Sequence, residues 1–81
     1  MKVFVITISD VCDFSHYPHD PIVYEKREDA IARLEEIKED AKADADDDYE
    51  IEEDETHIDI WESGRYAENH YTATIDEIEV L

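Results

Sequence analysis

Glycine is almost missing from this chain, with Gly64 standing alone among 81 residues. That excludes a glycine-rich phosphate cradle and leaves no glycine-rich turn to build an oxyanion hole. Cysteine is as sparse. Cys12 has no second thiol to pair with, so no internal disulfide can form, which fits a reducing compartment such as the cytosol. Long apolar runs are also missing. The run Val3 to Ile8, broken by Thr7, is too short for a signal segment or a membrane span, and the expectation is a cytoplasmic protein. Positive charge is the last shortage: 7 Lys and Arg stand against 25 Asp and Glu, for a net charge of -18. Binding to nucleic acid or anionic membrane needs Lys and Arg to displace counterions from phosphates. The balance therefore excludes direct contact with either and points to a basic partner. The competing explanation is a salt-rich cytosol that favours acidic surfaces on every protein.

What is present has clear periodicity. A chain of this length makes one domain, 1–81, that buries about 60% of its unfolded surface. Lys2 to Ser9 reads as a strand with Phe4, Ile6 and Ile8 on one face and Val3, Val5 and Thr7 on the other. With apolar residues on both faces it is expected to be central and covered twice. From Asp10 to Pro21, both prolines and the turn formers Asp10, Asp13, Ser15 and Asp20 read as a loop, followed by a short strand at Ile22 to Tyr24. Arg27 to about Ala45 has the helical period. Ala30, Ile31, Leu34, Ile37, Ala41 and Ala45 fall within an arc of roughly 120° at 100° per residue, opposite Glu28, Asp29, Glu35, Glu36, Glu39 and Asp40.

Beyond the helix, Thr56 to Glu62 alternates with Ile58 and Ile60 on one side and His57, Asp59 and Trp61 on the other, while Tyr49 to Ile51 has the character of a short strand. Ser63 and Gly64 mark a turn, extended by 65–69 into a hairpin loop. His70 to Leu81 closes the chain. There Tyr71, Ala73 and Ile75 share one phase and Ile78 and Val80 the other, which a bulge near Asp76 and Glu77 would reconcile. These elements predict an α+β fold: a small, mainly antiparallel sheet of three to four strands with one amphipathic helix on one face. A single helix leaves the second face bare, so Val3, Val5, Trp61 or Tyr71 would form an apolar patch suited to a homodimer or a protein partner.

Chemistry finds little support. Cys12, His16 and His19, with Asp10, Asp13 and Asp20 nearby, offer zinc-type ligands, but paired ligands from two separated places are lacking. Asp44, Asp46 and Asp48 resemble the start of a calcium loop. Tyr49 stands where that loop needs glycine, although Glu55 occupies its closing glutamate position, so the match fails at the turn. No nucleophile motif accompanies Cys12, and no enzyme, cofactor or metal site is expected.

The acidic surface remains. Between Ala43 and Glu55 lie nine carboxylates, Asp44, Asp46, Asp47, Asp48, Glu50, Glu52, Glu53, Asp54 and Glu55, and no Lys or Arg. Asp40, Asp44 and the acids beyond gather at the helix C-terminus, where the dipole is already negative, so they do not serve helix stability. With Glu36, Glu39 and Asp40 they make the expected partner-binding surface. Such a row approaches the charge density of duplex DNA, one charge per about 1.7 Å, and can occupy a channel lined with Lys and Arg. Tyr49, Trp61, Arg65, Tyr66 and Tyr71 could anchor an interface. The bland alternative is a solvated helix face and an acidic loop.

The frame MKVFVITIS, IVYEKREDAIARLEEI and HYTATIDEIEVL resembles small proteins common in phage and mobile-element genomes. In size and acidity the chain is also similar to phage inhibitors that mimic DNA, among them anti-CRISPR proteins and uracil-DNA glycosylase inhibitors. That resemblance implies a stoichiometric inhibitor of a basic nucleic-acid-binding protein such as a CRISPR effector, with the acidic run in its nucleic-acid site. It carries over no active-site residues. The other function class is a structural or interaction domain that dimerises through its second sheet face, its acids serving solubility.

Overall fold

A computed structural model describes residues 1–12, 15–45, 49–62 and 69–80. The elements run β1 (Lys2–Cys12), β2 (Ser15–Pro18), β3 (Ile22–Tyr24), α1 (Arg27–Asp44), β4 (Tyr49–Asp54), β5 (His57–Glu62) and β6 (His70–Glu79). The strands form one open antiparallel sheet in the order β2-β1-β6-β5-β4, with β3 beside β2 along the same edge of β1. Among the described residues the sheet therefore has six strands, which corrects the expected three to four. Two segments account for the difference. The turn formers of 10–21 hide a hairpin in which β1 runs on to Cys12 and pairs with β2, ending at Pro18 on an edge where proline is tolerated. The short strand expected at Tyr49 to Ile51 runs on through the acids to Asp54 as a full edge strand, where exposed charge discourages pairing with other chains.

β1 is paired along both edges, yet among the described residues only one of its faces is covered, contrary to the double cover expected from its sequence. Register decides the faces. Ile6 lies opposite Ile75 and Ile22, and Ile8 opposite Ala73, which in turn lies opposite Ile58. These residues face α1, whose Ala30, Leu34 and Ile37 close the core, with Ala41, Ala45 and Tyr49 packed around it. The β1–β6 ladder continues unbroken from Lys2↔Glu79 to Val11↔His70. The expected bulge near Asp76 and Glu77 is thus missing, because Ile78 meets Val3 on the uncovered face and leaves no apolar conflict to reconcile. Tyr71 shares the phase of Ala73 and lies on the helix side, so it leaves the expected second-face patch while Val3, Val5 and Trp61 remain in it.

The helix spans about 27 Å at 1.5 Å per residue. Glu28 and Asp29 in its first turn and Lys42 in its last complement the dipole. It stops at Ala45, whose backbone turns extended and whose N–H reaches back to the carbonyls of Ala41 and Lys42. No described helix is long and apolar enough to cross a membrane.

Candidate functional site

α1 crosses the strands, and its two flanks look toward opposite ends of the sheet. One flank carries Lys38, which lies inside the apolar arc, 40° from Leu34 at 100° per residue. Lys38 is 2% exposed, the one charged side chain buried among the described residues. Its ammonium donates to the backbone carbonyl of Asp54 and to Glu35 Oε1 at 3.2 Å, with Glu53 Oε1 at 4.0 Å. One turn later Lys42 meets Glu53 Oε2 at 2.5 Å, and Arg27 at the helix start reaches Glu55 at 2.7 Å. The cations missing from the acidic run thus come to it from the helix. A buried ammonium needs every one of its donors matched, so Lys38 fixes the helix against the far end of β4.

The opposite flank carries Asp40 and Asp44, one turn apart. Together with Asp10 of β1 they line a cleft of about 440 Å³ whose inner wall includes Ile8, Ile37, Ile60 and the ring of Tyr71. Arg33 lines it too, but its guanidinium donates to Glu36 Oε2 at 2.7 Å, a bond that raises its already high pKa. Burial pushes the Tyr71 phenol above its ordinary pKa, and the charges of Asp10 and Asp40 push it further despite Arg33. Neither Asp40 nor Asp44 has an ion-pair partner among the described residues; Asp10 has His19, 3.5 Å away.

The remaining expected contact residues divide among several surfaces. Glu36 is tied to Arg33, and Glu39 is exposed on the outer side of the helix. Alternation along β4 sends Glu50, Glu52 and Asp54 to the uncovered sheet face and Glu53 to the helix side. Glu50 accepts a bond from the Trp61 indole N–H at 2.9 Å. Asp54 caps its own turn by accepting the Thr56 N–H at 2.8 Å, which lowers its pKa. Glu55 lies in that turn beside Arg27. Asp46, Asp47 and Asp48 lie outside the described residues, as do Asp13, the Ser63–Gly64 turn, and Arg65 and Tyr66. Among the described residues, Glu53 and Glu55 are thus paired at the Lys38 flank, Asp40 and Asp44 line the cleft without an ion pair, and Glu50, Glu52 and Asp54 lie on the other sheet face.

The uncovered face holds a polar cluster that sequence reasoning missed. Asp59 accepts from the Thr72 hydroxyl at 2.6 Å and lies 3.0 Å from His57 Nε2 and 3.3 Å from His70 Nε2. The Thr72 bond first, then His57, holds the Asp59 carboxyl below its usual range, and Asp59 in turn raises His57. Alternation had placed His57 and Asp59 on one side of a strand, but only the β5–β6 register brings Thr72 and His70 to them. In the zinc-type loop, His16 Nε2 sits 3.5 Å from Ser9 Oγ and His19 joins Asp10. Among the described residues, no three His, Cys, Asp or Glu converge to hold a metal ion. No protein-family model, curated protein or solved structure matches this chain.

Proposed function

We propose that this chain is a non-catalytic inhibitor that mimics nucleic acid and occupies the basic DNA- or RNA-binding site of a partner protein, a host defence nuclease of the CRISPR type. The observation that carries the reading is the difference between the helix flanks. Acids that brace the fold are matched by Lys38, Lys42 and Arg27, whereas Asp40, Asp44 and the exposed Glu39 have no ion pair among the described residues. Like charges one helical turn apart oppose folding, and a partner that supplies Lys and Arg relieves that opposition. The net charge of -18 would also steer such a partner from a distance.

The test begins with a basic protein captured by the chain from a host lysate and competed with duplex DNA. Replacing Glu36, Glu39, Asp40, Asp44 and Glu52 by their amides is expected to abolish capture with the fold retained, and capture is expected to weaken steeply with salt. Undiminished capture by the folded amide variant rejects the reading.

One observation favours a second reading. The sheet face away from α1 is uncovered among the described residues and exposes Val23 and Ile78. On this reading the chain is a structural domain that pairs with a copy of itself through that face. Sedimentation separates the two: a tight dimer indifferent to the five amide substitutions supports the second.

A further inference from the structure

We infer that the cleft between the second half of α1 and the β1, β5 and β6 strands receives an arginine side chain of the protein partner, its guanidinium between Tyr71 and the carboxylates of Asp10, Asp40 and Asp44. The inference rests on the acidic-surface reading above and narrows it from general charge complementarity to one seat for one kind of side chain.

Three properties of the cleft select this occupant. Its charge comes first: among the described residues three carboxylates line it, Asp10 with His19 at 3.5 Å and Asp40 and Asp44 with no ion pair, against the guanidinium of Arg33, which is bound to Glu36. The raised Tyr71 phenol is consistent with a negative interior. Its shape comes second. At about 440 Å³ it lies toward the lower end of the roughly 300–1,000 Å³ typical of ligand pockets, which suits a side chain and accompanying water rather than a folded element. Its chemistry comes third. Ile8, Ile37 and Ile60 make part of the lining apolar, so an entering cation must shed water there. A guanidinium is weakly hydrated, stacks on aromatic rings and pairs with carboxylates through two parallel bonds, whereas a lysine ammonium is compact and strongly hydrated. A metal ion is a poorer fit, because among the described residues no three ligands converge closely enough to hold one. Two of the carboxylates, Asp40 and Asp44, stand one turn apart on α1 and the third, Asp10, is on β1, so a wide, flat cation can meet both walls of the cleft.

The experiment is a nuclear magnetic resonance titration of the whole chain with the peptide acetyl-Gly-Arg-Gly-amide and its lysine counterpart at low salt. The expected result is saturable shifts at the Ile8, Ile37 and Ile60 methyl groups and the Tyr71 ring, with the lysine peptide about threefold weaker or worse. In the Asp40→Asn, Asp44→Asn double variant, affinity for the arginine peptide is expected to fall about tenfold. Shifts confined to Glu39 and the β4 acids, or no shift at the cleft up to millimolar peptide, overturn the arginine seat. A second arm uses the captured basic protein and compares that double variant with Glu39→Gln, Glu52→Gln. A larger loss from the cleft pair supports the seat. Equal losses overturn it and leave the mimicry reading intact, while no loss from either pair counts against both.

Discussion

The two flanks of α1 are built from similar residues to different ends. On one, Lys38 and Lys42 draw Glu53 and the Asp54 carbonyl onto the helix, with Glu35 of the helix itself also meeting Lys38, so a segment of like charges becomes an ordered edge strand. On the other, Asp40 and Asp44 stand over a partly apolar cleft and have no ion pair among the described residues. Folding requires the first arrangement and gains nothing from the second. The lesson is that a net charge does not mark a binding surface; the carboxylates to ask about are those the fold leaves unmatched.

The sharpest way to break this comparison is to remove the cation from the matched flank. Lys38→Met keeps much of the volume and discards the charge, leaving the Asp54 carbonyl without its donor and Glu35 and Glu53 without a buried counter-ion. Both carboxylates are well exposed to solvent, at 57% and 34%, so water screens much of the loss. A destabilisation of about 1–3 kcal/mol is expected, read as a lower urea midpoint. If Lys38→Met unfolds at the same urea concentration as the parent, the bracing role assigned to this flank is wrong.

Asp59 supplies a control away from both flanks, as a partnered acid on the uncovered sheet face. Its pKa is lowered by Thr72 and His57, so its contribution to stability is present above the unfolded value of about 3.9 and is lost as pH falls through the lower folded value. His57 works in the other direction. Its pKa is raised, so its contribution is present below about 6.5 and is lost as pH rises through the higher folded value. The stability difference between the parent and Asp59→Asn is therefore expected to be largest between the two carboxylate and imidazole ranges, at about 0.5–1.5 kcal/mol, and to shrink at both ends. Taking the difference removes the general relief of repulsion that acid brings to every carboxylate. A flat difference across pH dismisses the cluster as a stabilising unit.

Much of this architecture is legible from local pattern, and the remainder depends on contacts between distant segments. The apolar arc from Ala30 to Ala45 predicts α1 nearly to its ends, and the alternation of Ile58 and Ile60 predicts β5, because each needs only its own neighbours. β2 was hidden because Asp, Ser and Pro favour turns locally, whereas pairing with the extension of β1 is a tertiary effect. β4 was legible only at Tyr49 to Ile51, because the acids that carry it on to Asp54 become tolerable only once Lys38 and Lys42 arrive from the helix. Lys38 itself left a signal, a lone cation inside the greasy arc, which marks a buried partner rather than a solvated charge. The cleft left none: Asp10, Asp40, Ile60 and Tyr71 lie on four elements, and only the strand order brings them together.

The smallest effect is also the most pointed, because its sign is opposite. Asp40→Asn with Asp44→Asn removes two charges that repel across one helical turn and lie near the negative end of the helix dipole. Neither has an ion pair among the described residues, so the favourable interaction lost is the longer-range attraction between Asp40 and Arg33. Stability at low salt is expected to rise by a few tenths of a kcal/mol, read as a slightly higher melting temperature. At about 1 M salt, where the screening length falls to about 3 Å, the gain should vanish, whereas the cost of Lys38→Met should largely persist because its ammonium is shielded from the ions. A double variant that is instead destabilised would mean that the cleft acids brace the fold as the Lys38 flank does, and the distinction between the flanks would collapse.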